Sequence, residues 1–316
     1  MLDSLKFVQG AIAKKDYIPA LTHFYIGDGF VKGYNGRIAL CGPINLDLNV
    51  KPLAVPFVRA IQACTKTINL SRSSNGKLYI KSGTFRAFIE CTEDEYPDIE
   101  PEGELIPITK PITPPLKILE PFIAKDATRP WARGILFRGS SVFATNNIVL
   151  MEIWTGYKFP VEVVVPHAAI VELIRIKEEP EAIQVCSNSI TFHFRNHRWL
   201  KTQLTTDEWP DVSKILDRDS NQLPLPLGFF EACETIKPFV DETERVYLVD
   251  GKVATSTEVA AGASVDVAGI VGPACFNFGQ LMLLQNIIKT IDLSAYPAAC
   301  LFFGDKLRGA LIGIRV

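Results

Sequence analysis

The sequence predicts an α+β fold in which one domain type is used three times, with helices on one face of antiparallel sheets. The first support is a repeated turn. Thr205-Thr206-Asp207-Glu208-Trp209-Pro210-Asp211-Val212 has a near copy in Thr92-Glu93-Asp94-Glu95-Tyr96-Pro97-Asp98-Ile99, with five of eight columns identical and two exchanged like for like. The second is a set of landmarks at almost the same offset. Leu5-Lys6, Ile12-Ala13-Lys14, Pro19 and Asn35 return 111 residues later as Leu116-Lys117, Ile123-Ala124-Lys125, Pro130 and Asn146; Val55-Pro56 returns as Val165-Pro166. Self-similarity at a fixed period marks an array of one structural unit. The 316 residues then divide into domains at 1–103, 104–220 and 221–316, the last more divergent and ending before its own copy of the turn. Each piece has an ordinary domain size.

Within the first piece, Leu5, Val8 and Ile12 share one helical face, predicting an amphipathic helix over 3–15. Strands are expected at 20–26, 30–34 and 37–40, because β-branched and aromatic runs are broken by Gly27-Asp28-Gly29 and Asn35-Gly36. Pro56 is expected to open a helix through Lys66, where its missing N–H costs nothing. Strands at 78–80 and 85–90 close the unit as a hairpin. Six prolines in the nineteen residues from Pro97 to Pro115 mark a boundary. The second piece repeats the plan, with helices at 115–125 and 166–177 and strands at 135–137, 142–144, 149–154, 190–194 and 198–204. The third offers a helix at 227–239, strands at 246–249, 253–256 and 264–267, a helix at 277–290 on Leu281, Leu284, Ile288 and Ile291, and strands at 300–303 and 309–315.

Hydrophobic content of 47%, charged content of 22% and a net charge of -2 describe an ordinary globular chain, not a generally basic one. The seven cysteines never form C-x-x-C and are odd in number, so free thiols in a reducing compartment are expected. No apolar run reaches the ~18 residues of a membrane span, and the N-terminus lacks a signal peptide's regions, which places the protein in the cytoplasm.

Enzymatic readings find little to stand on. His193 and His197 would lie ~13 Å apart on one strand, too far for one metal ion. Gly27-Asp28-Gly29 precedes a strand, so a hairpin turn suits it better than a phosphate loop. The carboxylate pairs Asp94-Glu95 and Asp207-Glu208 recur inside a turn motif beside proline, which favours an inter-strand turn over acid–base chemistry. Cys275 with His167 would serve a cysteine-dependent hydrolase, but no nucleophile turn accompanies them. No catalytic residue, metal site or cofactor is expected. A structural repeat protein is the other class.

Charge supplies a positive signal. The six expected helices carry Lys6, Lys14, Lys15, Arg59, Lys66, Lys117, Lys125, Arg175, Lys177, Lys237 and Lys289 against Asp3, Glu120, Glu172, Glu231 and Glu234, a surplus of six, while the whole chain stands at -2. Basic helices without base-reading motifs suit sequence-blind contact with phosphates, in which affinity comes from counterion release. A structural repeat protein would not require them.

Taken together, the three-fold repeat, the stretch 76–83, both Asp-Glu-aromatic-Pro-Asp turns, Phe137 with Ala144-Thr145-Asn146, Cys275-Phe276-Asn277 and the tail Gly313-Ile314-Arg315-Val316 resemble the bacterial sliding clamp, the β subunit of DNA polymerase III. The resemblance spans nearly the whole chain. It implies three DNA-clamp domains, a head-to-tail homodimer forming a ring around double-stranded DNA, and tethering of a DNA polymerase and a clamp loader through short peptides. The peptide groove would comprise Ala132, Thr145, Asn147, Ile148, Val149, Leu150, Pro210, Lys214, Ile215, Ala310, Ile312 and Ile314. Relatives carry Gly-His-Arg-Leu where this chain has Asn147-Ile148-Val149-Leu150, and Met-Pro-Met-Arg-Leu where it ends Ile312-Gly313-Ile314-Arg315-Val316. An apolar pocket with fewer polar rim groups is expected. Lys15 falls at a DNA-contacting position, and Ile89, Phe239 and Val240 near the subunit interface. Relatives also start with a strand before the first helix that this sequence lacks, as suits a compact phage or prophage version.

Overall fold

Asp28 and Gly29 both adopt positive φ, 54° and 79°, the twist that a two-residue hairpin needs and that Asp and Gly tolerate. They join β1 (Tyr25–Gly27) to β2 (Phe30–Tyr34), after α1 (Leu2–Val8) and before β3 (Ile38–Pro43). The computed structural model describes residues 1–126, 128–258, 261–270 and 272–315; Val316, the end of the tail noted above, lies outside them. The chain continues with α2 (Ala54–Ala63), β4 (Asn69–Arg72), β5 (Leu78–Ser82), β6 (Phe85–Ile89), β7 (Glu104–Pro107) and α3 (Thr113–Leu119). Then come β8 (Gly134–Arg138), β9 (Ser141–Thr145), β10 (Val149–Trp154), β11 (Val163–Pro166), α4 (His167–Ile176), β12 (Ala182–Val185), β13 (Ser189–Phe194) and β14 (Arg198–Gln203). The last part holds α5 (Ser213–Leu216), β15 (Leu223–Pro224), α6 (Phe229–Ile236), β16 (Arg245–Val249), β17 (Lys252–Ala254), β18 (Ser264–Asp266), β19 (Ala274–Asn277), α7 (Phe278–Met282), β20 (Ile288–Ile291), β21 (Ala299–Gly304) and β22 (Leu307–Ile312).

Two units divide the chain, Met1–Lys117 with Val163–Thr206, and Ile118–Glu162 with Asp207–Val316. In the first, the antiparallel sheet runs β1-β2-β3-β14-β13-β12-β7, and β4-β5-β6 form a second, smaller sheet. The two helices α1 and α2 pack together, and α1 lies on β3 and β2 while α4 lies on β14. Leu5, Val8, Phe57, Val58 and Ile61 fill that layer. In the second unit β8-β9-β10-β22-β21-β20-β15 run in order, with a smaller sheet β18-β17-β16-β19. Residues 104–220 thus contribute strands to both large sheets.

The repeat is visible in hydrogen bonds. Pro19 and Pro130 each open a 3-10 turn. Ala13 N–H donates to Leu21 O at 2.9 Å, and Ala124 N–H to Ala132 O at 3.0 Å. Asn35 Oδ1 accepts from the amides of Arg37 and Ile38, as Asn146 Oδ1 does from Ile148 and Val149. Side-chain capping of a hairpin turn by Asn is encoded locally, so both copies adopt it.

Several expected elements differ. The helix expected over 3–15 is α1 plus a 3-10 turn at Gln9–Ala11, and Lys14 and Lys15 lie beyond it. The segment expected as a strand from Ala20 begins as the 3-10 turn Pro19–Thr22. The second helix starts at Ala54, so Pro56 sits inside the first turn, where no intrahelical N–H bond is lost, and it ends before Lys66, whose amide donates to Ser82 Oγ at 3.0 Å. The third ends at Leu119 with a 3-10 turn to Phe122, leaving Lys125 outside. Lys177 caps α4 in the left-handed conformation, φ 57°. The largest departure is at 277–290. Only α7 is helical; Asn286 takes φ 63°, and the β-branched run Ile287-Ile288-Lys289-Thr290-Ile291 supplies β20 on β21. Ile288 and Ile291 share a helical face in sequence, but their burial comes from sheet pairing.

Candidate functional site

All twelve expected groove residues fall in the second unit. Sheet register brings the strand members together. Leu150 of β10 pairs with Thr145 of β9 on one side and Ala310 of β22 on the other, and Val149 pairs with Leu311. Thr145 Oγ1 donates to Val149 O at 2.7 Å, fixing the tight connection in which Asn147 adopts φ 74°. Arg129 donates to Asn147 Oδ1 at 2.8 Å. Ile312 N–H donates to Ile148 O at 3.0 Å, so these two isoleucines end neighbouring strands.

The segment after Thr206 supplies the other side. Trp209 is buried, 7% exposed, and meets Trp131 edge-on with ring centroids 5.0 Å apart. That contact anchors Pro210 beside the 3-10 turn carrying Ala132, which is itself fully buried. Asp211 Oδ1 accepts from Ser213 N–H at 2.9 Å and starts α5, which carries Lys214 and Ile215. Hydrogen bonding from Ser213 holds the Asp211 carboxyl below its ordinary range. One-turn α5 packs on β22. Arg308 of β22 secures it, donating to Leu216 O at 3.1 Å, pairing with Asp217 at 2.8 Å, and reaching Glu152 of β10 at 2.7 Å.

Within this frame Ala132, Thr145, Val149, Leu150 and Ala310 are buried, while Ile148, Ile215 and Ile312 are 36%, 37% and 47% exposed. Ile314 is half-buried, its N–H bonded to Cys275 O and its carbonyl accepting from Tyr296 Oη at 2.5 Å. The result is an apolar patch at the ends of two central strands, with Pro210 and Lys214 exposed beside it. It offers isoleucine side chains and no titratable cluster, which suits apolar peptide side chains better than chemistry. The Trp131 contact, Arg308 and Tyr296 were not singled out from sequence. Trp131 had a signal, since it adjoins repeated Pro130; Arg308 and Tyr296 reach their partners across strands far apart in sequence.

The basic residues are arranged differently from the expectation. The six helices at the expected positions, with the 3-10 turns that extend them and leaving aside α5 with its Lys214, carry Lys6, Arg59, Lys117, Arg175 and Lys237 against Asp3, Glu120, Glu172, Glu231 and Glu234, an even balance. Lys14, Lys15, Lys66, Lys125 and Lys177 instead follow helix ends, all exposed. Lys289 lies on β20 and pairs with Asp305 at 2.5 Å. Arg175 is engaged by Glu172 and donates to Phe7 O at 2.7 Å, at the carbonyl end of α1. Lys237 pairs with Glu234 at 3.4 Å. Of the six cations behind the expected surplus, five therefore lie in connections and Lys289 on a strand, and the residues outside these helices still sum to -2.

At the expected interface positions, Phe239 is 61% exposed and Val240 half-buried, but Ile89 is 6% exposed and turned into its own unit. Its neighbour Phe88 is 58% exposed, on the other face of β6, with its ring 4.9 Å from Tyr79. Strand alternation decides this: Ile89 and Phe88 point oppositely. The reactive-cysteine reading fails at Cys275, which is fully buried in β19 with its thiol raised by burial. His193 Nε2–H donates to Gln184 Oε1 at 2.6 Å. Among the described residues no group of three metal-ligating side chains forms, and no helix is long and apolar enough to cross a membrane.

Neither a protein-family model nor a curated protein sequence matches the chain. Solved structures do. The β sliding clamp of C. crescentus matches with a TM-score of 0.83 at 16% identity. A DnaN sliding clamp (DNA polymerase III subunit beta) of Pseudomonas aeruginosa, bound to griselimycin, matches at 0.82 and 18%, and the DNA polymerase sliding clamp of Bacillus subtilis at 0.81 and 16%. Each match covers 100% of this chain and 97% of the other. The fold is the sliding-clamp fold over the whole length.

Proposed function

We propose that the chain is a DNA polymerase processivity factor, a non-enzymatic clamp whose head-to-tail dimer encircles duplex DNA without reading its sequence. The observation that carries this reading is the fold likeness along the entire chain, at TM-scores of 0.81 to 0.83. Three clamp domains at 1–103, 104–220 and 221–316 would then give six per ring. The exposed apolar patch of Ile148, Ile215 and Ile312 supports tethering of a polymerase and a clamp loader by short peptides. The peptide's side chains would enter between α5 and the Ile148–Ile312 strand ends. For the dimer, the exposed edge strand β6 with Phe88 is the better candidate than Ile89, opposite Phe239 and Val240 of a second copy.

DNA contact falls to the exposed lysines that follow the helices, above all Lys14, Lys15, Lys66, Lys125 and Lys177, with Lys6, Arg59 and Lys117 on the helices themselves. Lys237, Lys289 and Arg175 are already paired and contribute less. The even charge balance of the helices favours a second reading, an assembly protein with the same fold and no DNA role. Class-averaged electron microscopy of the purified protein separates assembly from its absence: the clamp reading expects two-subunit rings with a central hole. Retention on nicked circular plasmid, lost on linearisation, separates the two functions. Lys14→Glu with Lys125→Glu is expected to weaken retention and leave the rings intact, and deletion of 313–316 to abolish polymerase binding without unfolding. Rings that never retain circular DNA under any loading condition would favour the assembly protein.

A further inference from the structure

The first copy of the repeated turn borders a cavity. Tyr25, Phe30, Tyr96 and Trp199 wall a space of about 420 Å³ in the first unit, with Cys41 also lining it. Cys41 is buried, and burial pushes its thiol up to about 12, so this wall stays uncharged. The Tyr25 and Tyr96 rings lie 5.5 Å apart and tilted by 33°. Asp28, Asp98, Glu100 and Lys32 also line the cavity. Lys32 pairs with Glu100 and lies 5.9 Å over the Tyr25 ring. Asp28 and Asp98 have no cationic partner among the described residues.

The wall chemistry selects the ligand. Aromatic faces attract cations, and more so where water is excluded. Two uncompensated carboxylates beside them repel an anion and reward a positive charge. Lys32 over Tyr25 shows the same preference satisfied by the chain's own ammonium. Tyr96-Pro97-Asp98 occupies the same columns of the repeat as Trp209-Pro210-Asp211, which flanks the apolar patch. One motif therefore borders an apolar patch and an acidic cavity. We infer that the aromatic and acidic cavity is a second peptide site, taking the ammonium or guanidinium side chain of an extended partner segment. This does not rest on the ring or on DNA.

The test uses the full chain and two probe peptides, acetyl-Gly-Arg-Ala-Arg-Gly-amide and its glutamate counterpart, titrated at 50 and 500 mM salt by thermophoresis. The arginine peptide is expected to bind, to weaken at high salt, and to lose about tenfold in affinity in Asp28→Asn with Asp98→Asn. Asn tolerates the positive φ of position 28, so the fold survives that exchange. Ile148→Glu with Ile312→Glu, on the apolar patch, is expected to leave this binding unchanged. Absence of arginine-peptide binding, equal binding of the glutamate peptide, unchanged affinity in the Asn variant, or loss of binding in the patch variant would each overturn the inference.

Discussion

The two copies of the Asp-Glu-aromatic-Pro-Asp turn diverge directly after the motif. In the second, Asp211 caps Ser213 and the chain winds into α5, held on β22 by Arg308. In the first, the chain forms no helix through 98–102. Lys32 pairs with Glu100, and Lys201 donates to Glu100 O at 2.6 Å and pairs with Glu102 at 2.8 Å. The residues that follow explain the split. Val212-Ser213-Lys214-Ile215-Leu216 has nothing to stop a turn of helix, whereas Pro101 steers Glu100 before it away from the helical region. A repeat thus conserves the anchor and lets the next five residues decide whether it leads into a patch or a strap.

Substitutions at matched columns can break that comparison. The largest expected effect is Trp209→Ala, which removes a buried aromatic and costs ~3–5 kcal/mol in urea unfolding. Tyr96→Ala, at a half-buried ring, is expected to cost about half as much; equal losses would mean that both anchors carry the same packing. Next comes Gly103→Ala at the end of the strap. Gly103 has φ 99°, and a Cβ would stand 2.4 Å from Val185 O, so ~1–3 kcal/mol is expected. Arg308→Ala should cost about 1 kcal/mol and loosen α5. Amide hydrogen exchange at Ile215 and Leu216 would rise first, and no rise would mean that packing alone holds the helix.

The smallest effect sharpens the comparison most. Asp211 has its folded-state carboxyl depressed by the Ser213 hydrogen bond, so its contribution is present above the unfolded carboxylate range and disappears as pH falls through the lower folded value. The midpoint difference between the parent and Asp211→Ala is therefore expected to be full above about pH 5 and to close below about pH 4.

What was legible in the sequence follows from range. Short hairpins such as Phe30–Tyr34 and Val149–Trp154 carry their own alternation and turn residues, and both were readable to the residue. The stretch at 277–290 was not, because apolar spacing suits either a helix face or a strand paired with β21, and only the pairing decides. The helix-borne charge surplus failed for a related reason. Helix ends at Gln9, Cys64 and Leu119 moved four lysines into connections, and the end of α4 at Ile176 moved Lys177. Among groove residues, Leu150 and Ala310 could be proposed only by resemblance, since register across 160 positions leaves no local trace.

The sequence by itself determined the repeat, the hairpin turns and the apolar faces, because each depends on residues within a few positions of one another. Tertiary structure alone decided where helices stop, which cations remain unpaired, and which isoleucines stay exposed. Those depend on partners distant in the chain: Ser82 taking the Lys66 amide, Asp305 taking Lys289, and Arg308 holding α5 against the sheet. Local preference is worth tenths of a kcal/mol per residue, and long-range packing and pairing outweigh it wherever the two disagree.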